Sequence, residues 1–315
     1  MTGPAFRSLD DVVYGRVEQV APMIRRVIAE NPSKFTYRGT GTYIVGEGDV
    51  AVVDPGPRLD SHRDALAVAL AGERVTAICV THCHSDHSPL AAWLKEETGA
   101  PTFAFGPHPP SDPDDPAVAE ELEEEITEGV KVEESIDLAF APDVRVADGE
   151  VAATGPGWTM RGVHTPGHTS NHLCFAFDEQ RVLFPGDHVM GWSTTVVSPP
   201  DGDMAAYIDS LRKVAGRHDA SYWPTHGPSI QSPQAYVAAL VEHRLDRERQ
   251  VLDAVRSGLG QIPAIVALLY ADVAEELHKP AGRSVLSHLA KLTDDGLVRT
   301  TDGARPRLRS SFEPT

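Results

Sequence analysis

The sequence has no long hydrophobic run and few cysteines. No stretch approaches the roughly 18 consecutive apolar residues of a transmembrane helix, so we expect no membrane association. The three cysteines are too few for a disulfide framework, and they form no Cys-x-x-Cys pair. Residues 1–11 lack the basic start and apolar stretch of a secretory signal peptide. These features favour a globular protein of the reducing cytoplasm.

Basic residues are also scarce. The chain has 28 Lys and Arg against 46 Asp and Glu, and its net charge is −18. Residues 233–315 hold eleven of each sign, so the acidic surplus lies in the first 232 residues. Such a surface repels polyanions, although salt screens the repulsion beyond about 10 Å. Eleven acidic residues fall between Asp112 and Glu134, where we predict a solvated surface helix or loop.

Short β-type runs alternate with helical stretches over roughly the first 230 residues, as in layered α/β or α+β domains. Thr36–Val45 and Val50–Asp54 are predicted to form a hairpin that turns at residues 46–48. Leu59–Ala71 and Pro89–Thr98 have helical spacing. Further strands are predicted at Val75–Thr81, Thr102–Phe105, Trp158–His164, Leu173–Phe177, Val182–Phe184 and Ala220–Trp223.

The pattern becomes mainly helical after Pro233. Helices are predicted over Pro233–Ser257, Ile262–Leu277 and Ser284–Thr293, and a strand over Leu297–Thr301. Three helices followed by a short hairpin are typical of a winged-helix module. We therefore divide the chain into a catalytic domain at 1–232, a connecting helix at 233–257 and a winged-helix-like domain at 258–315.

A dense histidine motif is the strongest functional signal. Residues 81–87 are Thr-His-Cys-His-Ser-Asp-His, directly after a predicted strand, and they contain four candidate ligands: His82, His84, Asp86 and His87. Imidazole and carboxylate ligands at this density suit Zn²⁺ or another borderline divalent ion. We predict a metal centre here, and we predict that the intervening Cys83 packs in the interior instead of binding metal.

The pattern His82-x-His84-x-Asp86-His87 resembles the signature of the metallo-β-lactamase superfamily. The other motifs of that family follow in order: Asp54 in Val-Val-Asp-Pro-Gly, His168 in Thr-Pro-Gly-His-Thr-Ser, Asp187 in Phe-Pro-Gly-Asp-His and His226 in Pro-Thr-His-Gly-Pro. The resemblance covers about residues 35–230. It implies the α+β class, with a four-layer αββα sandwich and a metal site at one edge between its two sheets.

The resemblance also implies two metal ions. The seven implied ligands are His82, His84, Asp86, His87, His168, Asp187 and His226. The histidines at 82, 84 and 168 would bind one ion, the residues at 86, 87 and 226 the other. Asp187 would bridge them, because a carboxylate can span ions roughly 3.5–4 Å apart. The nucleophile would be a hydroxide shared by both ions, because they lower the pKa of bound water to about 7. Zn²⁺ is the expected ion, with iron and manganese as alternatives.

Several further residues are expected to contribute to the site. Asp86 is predicted to orient the hydroxide, and Asp54 to accept a ring N–H from a ligand histidine. His188, directly after the bridging aspartate, is predicted to be a catalytic residue that contacts substrate. Met190 and Trp192 are predicted to form an apolar wall of the substrate site.

The resemblance is greatest to the branch that includes glyoxalase II and β-lactamase-like protein 2. The true β-lactamases of this fold lack the bridging aspartate, and flavin-linked diiron members place Glu where His84 stands. We therefore predict a hydrolase of an ester, thioester or related small acyl substrate.

Three alternatives stay open. They are a single-strand endoribonuclease resembling β-lactamase-like protein 2, a mono-iron persulfide dioxygenase and a winged-helix DNA-binding regulator. Arg305, Arg307 and Arg309 make the end of the tail locally basic, so single-stranded RNA is a candidate partner. Packing or formation of a homodimer is the competing role for this module.

Overall fold

The computed structural model describes residues 3–110, 135–272 and 278–315. These residues form two large β-sheets, six α-helices and a small two-stranded sheet. The acidic segment Asp112–Glu134, predicted to be a solvated helix or loop, lies outside the described residues. None of the described helices is long and apolar enough to span a bilayer.

The first sheet has seven strands that lie side by side in chain order. They are β1 (Glu18–Ala21), β2 (Ile24–Ile28), β3 (Gly41–Glu47), β4 (Asp49–Val53), β5 (Arg74–Cys79), β6 (Thr102–Ala104) and β7 (Val144–Arg145). Strands β1 to β4 pair antiparallel, and β4 to β7 pair parallel. The predicted hairpin is β3–β4, in which Tyr43 pairs with Val53 and Gly48, at φ +74°, makes the tight turn.

The second sheet has six strands in the spatial order β13-β12-β11-β10-β9-β8. They are β8 (Val151–Gly155), β9 (Trp158–His164), β10 (Leu173–Phe177), β11 (Val182–Phe184), β12 (Ser221–Tyr222) and β13 (Ile230–Gln231). Only β11 and β12 pair parallel in this sheet. A parallel pair needs a crossover connection, and α3 (Met204–Ala215) supplies it.

Period-two alternation of apolar residues explains the layers. On β4, Val50 and Val52 face α1 (Asp60–Ala69) and α2 (Leu90–Thr98), whereas Ala51 and Val53 face the second sheet. On β10, alternate residues face the first sheet or the helices α3 and α4. The predicted αββα sandwich is therefore confirmed.

The C-terminal part is joined to the sandwich by one long helix. Its elements are α4 (Pro233–Arg256), α5 (Ile262–Leu269), α6 (His278–Asp294), β14 (Val298–Thr300) and β15 (Phe312–Pro314). Val237 and Leu240 of α4 belong to the core under the second sheet, but Val251 and Val255 belong to the core of the tail. Helix α4 thus contributes to both cores. The division at residues 232 and 257 stays a prediction.

Two predicted helices of the tail have different limits in the structure. Helix α5 ends at Leu269, earlier than predicted, and residues 273–277 lie outside the described part. Helix α6 already includes residues 278–283, which the prediction left out. Pro280 and Gly282 weaken the helical pattern in the sequence, so the prediction began only at Ser284.

Candidate metal centre

Loops that follow four strands bring the predicted ligands together at one edge of the sandwich. The segment His82–His87 follows β5 of the first sheet. His168 follows β9, Asp187 follows β11 and His226 follows β12, all in the second sheet. The site therefore lies between the sheets at their common edge, where the resemblance places it.

Asp54 organises the loop that carries the first motif. Its φ of +49° lies in the left-handed region, which non-glycine residues seldom adopt. Its carboxylate accepts hydrogen bonds from the backbone N–H and the hydroxyl of Thr81, both at 2.8 Å. It also accepts one from the hydroxyl of Thr225 at 3.1 Å and one from His87 Nδ1 at 2.9 Å. Asp54 thus connects this loop to the segment just before His226.

Three histidines form the first donor group. His84 Nδ1 lies 3.0 Å from His82 Nε2 and 3.2 Å from His168 Nε2, and all three rings are buried. His168 Nδ1 donates to the carbonyl of Val196 at 2.7 Å, so Nε2 of the neutral ring carries a lone pair. Burial lowers the pKa of all three imidazoles. They are consequently in the neutral form that binds metal.

The second donor group combines a carboxylate with two histidines. Asp86 Oδ2 lies 3.1 Å from His226 Nε2 and 3.3 Å from His87 Nε2. His226 Nδ1 donates to the carbonyl of Gly39 at 3.2 Å, so Nε2 points to the group. Burial disfavours the charged form of His226, but Asp187 and Asp86 outweigh it and raise the pKa of this histidine to about 10. Burial also opposes charge on His87, and the neighbouring carboxylates, that of Asp86 first, raise the pKa of this histidine too.

Asp187 lies between the two groups. Its Oδ1 is 3.4 Å from His226 Nε2 and 3.6 Å from His87 Nε2. His82, His87 and Asp187 each offer one donor atom, and these three atoms also lie within 4.8 Å of one another. The carboxylate can therefore reach both donor groups.

The donor atoms fit divalent cations. Asp86 Oδ1, His87 Nε2 and Asp187 Oδ1 are buried and have no hydrogen-bond partner within the described part of the chain. Such atoms are costly in a protein interior unless they have a partner. A set of imidazole nitrogens and carboxylate oxygens is typical of zinc and related ions.

The structure does not bring His188 into this cluster. Its side chain is fully buried, and its ring centroid lies 5.0 Å from that of Tyr207 and 6.0 Å from that of His172. Burial lowers the pKa of His188 to about 3. This placement gives no support to the substrate contact predicted for His188. Cys83 is also buried, where its sulfur accepts a hydrogen bond from Asn171 at 3.1 Å, as expected for a packing residue.

A small cleft of about 60 Å³ opens over His84, His168, Asp187 and His226. Met190 and Trp192 line it, where the sequence predicts a wall of the substrate site. Lys34 and Phe35, which were not predicted from the sequence, also line the cleft. Thr40 was not predicted either, and its hydroxyl donates to Asp86 Oδ2 at 2.9 Å. These three residues precede β3 and belong to no recognisable motif.

Two known protein families match parts of this chain. Residues 37–226 match the metallo-beta-lactamase superfamily, and residues 262–305 match the beta-lactamase associated winged helix domain. The atrochrysone carboxyl ACP thioesterase AgnL7 of Paecilomyces divaricatus is 30% identical over 295 residues, which cover 90% of this chain and 83% of that protein. The beta-lactamase-like protein 2 homolog of Caenorhabditis elegans is 28% identical over 292 residues, which cover 90% of this chain and 88% of that protein.

Solved structures share both the sandwich and the tail. A beta-lactamase domain protein from Burkholderia ambifaria has a TM-score of 0.75 at 21% identity and covers 97% of this chain and 96% of its own. A metallo-beta-lactamase family protein from Thermus thermophilus has a TM-score of 0.70 at 21% identity, and the match covers 94% of this chain and 100% of that protein. The chain belongs to the metallo-β-lactamase superfamily, as a hydrolase that combines the sandwich with a β-lactamase-associated winged-helix domain.

Proposed function

We propose that this protein hydrolyses acyl thioesters, with the acyl group carried on the thiol of an acyl carrier protein or of coenzyme A. The observation that carries the proposal is the convergence of two donor groups on Asp187, in a chain that aligns with an acyl-carrier-protein thioesterase over 90% of its length. Thioesters belong to the acyl substrates that the resemblance implies.

We further propose that the seven side chains of the two donor groups hold two divalent ions, with Zn²⁺ expected. Bound there, such ions lower the pKa of a coordinated water to about 7 and polarise the acyl carbonyl. Asp86 contributes a buried carboxylate oxygen, Oδ1, that has no hydrogen-bond partner among the described residues and would accept a hydrogen bond from the attacking water or hydroxide and so orient it. Thr40 holds the other oxygen and thereby fixes the orientation of the carboxylate.

The residues around the cleft account for substrate binding. Met190 and Trp192 offer apolar surface to the acyl chain, and the ring of Trp192 is held by stacking on Tyr37 with a centroid distance of 4.6 Å. Hydrolysis joins the water oxygen to the carbonyl carbon and breaks the carbon–sulfur bond, and the sulfur leaves as a thiolate. Because a thiol has a pKa near 8.5, the leaving group needs no strong general acid.

Release of free thiol by the zinc-reconstituted protein tests this proposal. The panel contains acyl thioesters, a lactone, a β-lactam and single-stranded RNA, since RNA cleavage is the alternative that stays open. We expect thiol release that disappears in Asp187→Ala and persists in Asp209→Ala, a control whose side chain is 75% exposed on α3. Cleavage of RNA without hydrolysis of any thioester would show that the proposal is wrong.

A further inference from the structure

A larger cavity of about 380 Å³ opens beside the metal centre, between the loop 193–197, helix α4 and the winged-helix domain. It shares Lys34, Phe35 and residues 193–196 with the cleft over the donor groups. We call this cavity the outer groove and define it by six of its lining residues: Lys34, Phe35, Thr195, Arg244, Arg247 and Tyr270.

Arg244 is a buried cation in the wall of the outer groove. Its residue is only 4% exposed, and its guanidinium donates to the carbonyl of Thr195 and lies 5.3 Å from the ring centroid of Tyr207. Among the described residues, its Nε has no hydrogen-bond partner and no carboxylate forms an ion pair with it. A buried charge that has no counter-ion among the residues the structure describes is costly, so this position favours an anion nearby.

Two more cations line the groove closer to solvent. Arg247 lies 4.3 Å from the ring centroid of Tyr270 and donates to the carbonyl of Leu269 at 3.2 Å. Lys34 Nζ lies 4.8 Å from the ring centroid of Phe35. Neither forms an ion pair with a carboxylate in the described ranges, although the chain as a whole has a net charge of −18. The groove is therefore locally complementary to an anionic group.

Hydrogen bonds connect the outer groove directly to the metal centre. Thr195, which accepts from Arg244, donates through its hydroxyl to the carbonyl of Asp187 at 2.6 Å. Val196 also lines the groove, and its carbonyl accepts from His168 at 2.7 Å. A ligand that extends from the donor groups along residues 193–196 would thus reach the three cations.

We infer that the outer groove binds the phosphate of a 4′-phosphopantetheine arm while its thioester lies at the metal centre, an inference that rests on the proposed thioesterase function. This arm is a flexible chain with a thiol at one end and a phosphate at the other, and acyl carrier proteins and coenzyme A both carry it. Arg247 and Lys34 bind the phosphate by charge-assisted hydrogen bonds, and the buried Arg244 adds positive charge from the wall of the groove.

The matched substrates hexanoyl-4′-phosphopantetheine and hexanoyl-pantetheine differ only in the phosphate and provide the direct test. For the metal-loaded full-length protein, we expect kcat/KM to be at least about tenfold higher with the phosphate, mainly through KM. Arg247→Gln and Lys34→Gln should each reduce this ratio several-fold, and the double variant should bring it close to one. Arg256→Gln, an exposed arginine in the last turn of the same helix, is the matched control and should keep the ratio.

Calorimetry with 4′-phosphopantetheine and with pantetheine gives a second readout that does not depend on turnover. We expect binding of the phosphorylated compound alone, weakened about tenfold by Arg247→Gln. Hexanoyl-coenzyme A and a hexanoyl carrier protein then distinguish the two sources of the arm, because the source that the protein uses should have the higher kcat/KM. Hydrolysis of either one should depend on Arg247.

Equal kcat/KM and equal affinity with and without the phosphate would overturn the inference and leave thioester hydrolysis intact. Absence of hydrolysis for every thioester would instead refute the proposed function, and calorimetry would still decide whether the groove binds the phosphate. Single-stranded RNA that binds through Arg247, while 4′-phosphopantetheine does not bind, would assign the groove to RNA and also overturn the inference.

Discussion

His87 Nδ1 donates a hydrogen bond to Asp54 Oδ2 at 2.9 Å, and both side chains are almost completely buried. Because the Nδ1 proton is used in this bond, Nε2 is the nitrogen that His87 presents to Asp86 and Asp187. A carboxylate behind a histidine ligand fixes its tautomer and increases its basicity. The two residues are 33 positions apart, and they meet because both follow neighbouring strands of the first sheet.

We expect Asp54→Asn to weaken metal binding and turnover by roughly 10–100-fold, the usual cost of losing such a partner. The side-chain amide of the asparagine would place its NH₂ group, a donor, against N–H or hydroxyl groups that now donate to the carboxylate of Asp54. Competition with a chelator measures the affinity, and thiol release measures turnover. Asp60→Asn is the control, since that side chain is 88% exposed on α1. Wild-type affinity in Asp54→Asn would contradict the role we assign to this carboxylate.

We expect Asp86→Ala to lower turnover by at least about 10²-fold while the protein stays folded, because it removes a predicted ligand and the group expected to orient the hydroxide. Circular dichroism checks the fold, and elemental analysis checks the metal content. Turnover near the wild-type value at full metal content would rule out both roles for Asp86.

Reconstituted protein should contain two metal ions per chain. The two donor groups and the central Asp187 motivate this expectation. Elemental analysis measures the ratio, and chelation should abolish activity and lower Tm, since a ligand that binds only the folded state stabilises it. A single ion that is always iron would instead favour the persulfide dioxygenase.

The free energy of unfolding should fall as the pH falls from about 6.5 to 4, in part because of His288. Burial lowers the pKa of His288 in α6 to about 4, whereas an unfolded histidine has a pKa near 6.5. Between these pH values the unfolded chain binds a proton that the folded protein does not. Each unit by which the pH falls therefore lowers the free energy of unfolding by up to about 1.4 kcal/mol. Above pH 6.5 both states are neutral and the contribution is constant.

Urea titrations of the wild type and His288→Leu at pH 7.5 and pH 5.0 isolate this effect. The variant should lose about 2 kcal/mol less than the wild type between the two pH values, because its residue 288 does not titrate. An identical pH dependence in both proteins would show that His288 takes up a proton in the folded state as readily as in the unfolded chain.

The elements of the sandwich could be predicted where their apolar residues follow a clear helical or strand periodicity. β9, β10 and β11 have the limits that their apolar runs predict. Helix α3 was not predicted, although the sequence carries a signal for it: Asp203 accepts from the N–H of Ala206, and Tyr207 and Leu211 are spaced to lie on one face. Strand β12 lies within the predicted strand Ala220–Trp223, whereas the two-residue strand β13 is too short for periodicity to define and is defined by its pairing with β12.

The ligand motifs were enough to indicate a metal-dependent hydrolase without any knowledge of the fold. Metal ligands must be of a few residue types, and short loops at strand ends present them at fixed spacing. The motif around His82–His87 can therefore be recognised from the sequence. Tertiary structure alone decided which neighbours share a site. His188 follows Asp187 in sequence, yet it is buried against Tyr207. Lys34 and Arg247 lie far apart in the chain, and they line the same cavity because helix α4 and the loop before β3 pack around it. Side-chain direction and burial depend on contacts between distant segments, which local spacing does not encode.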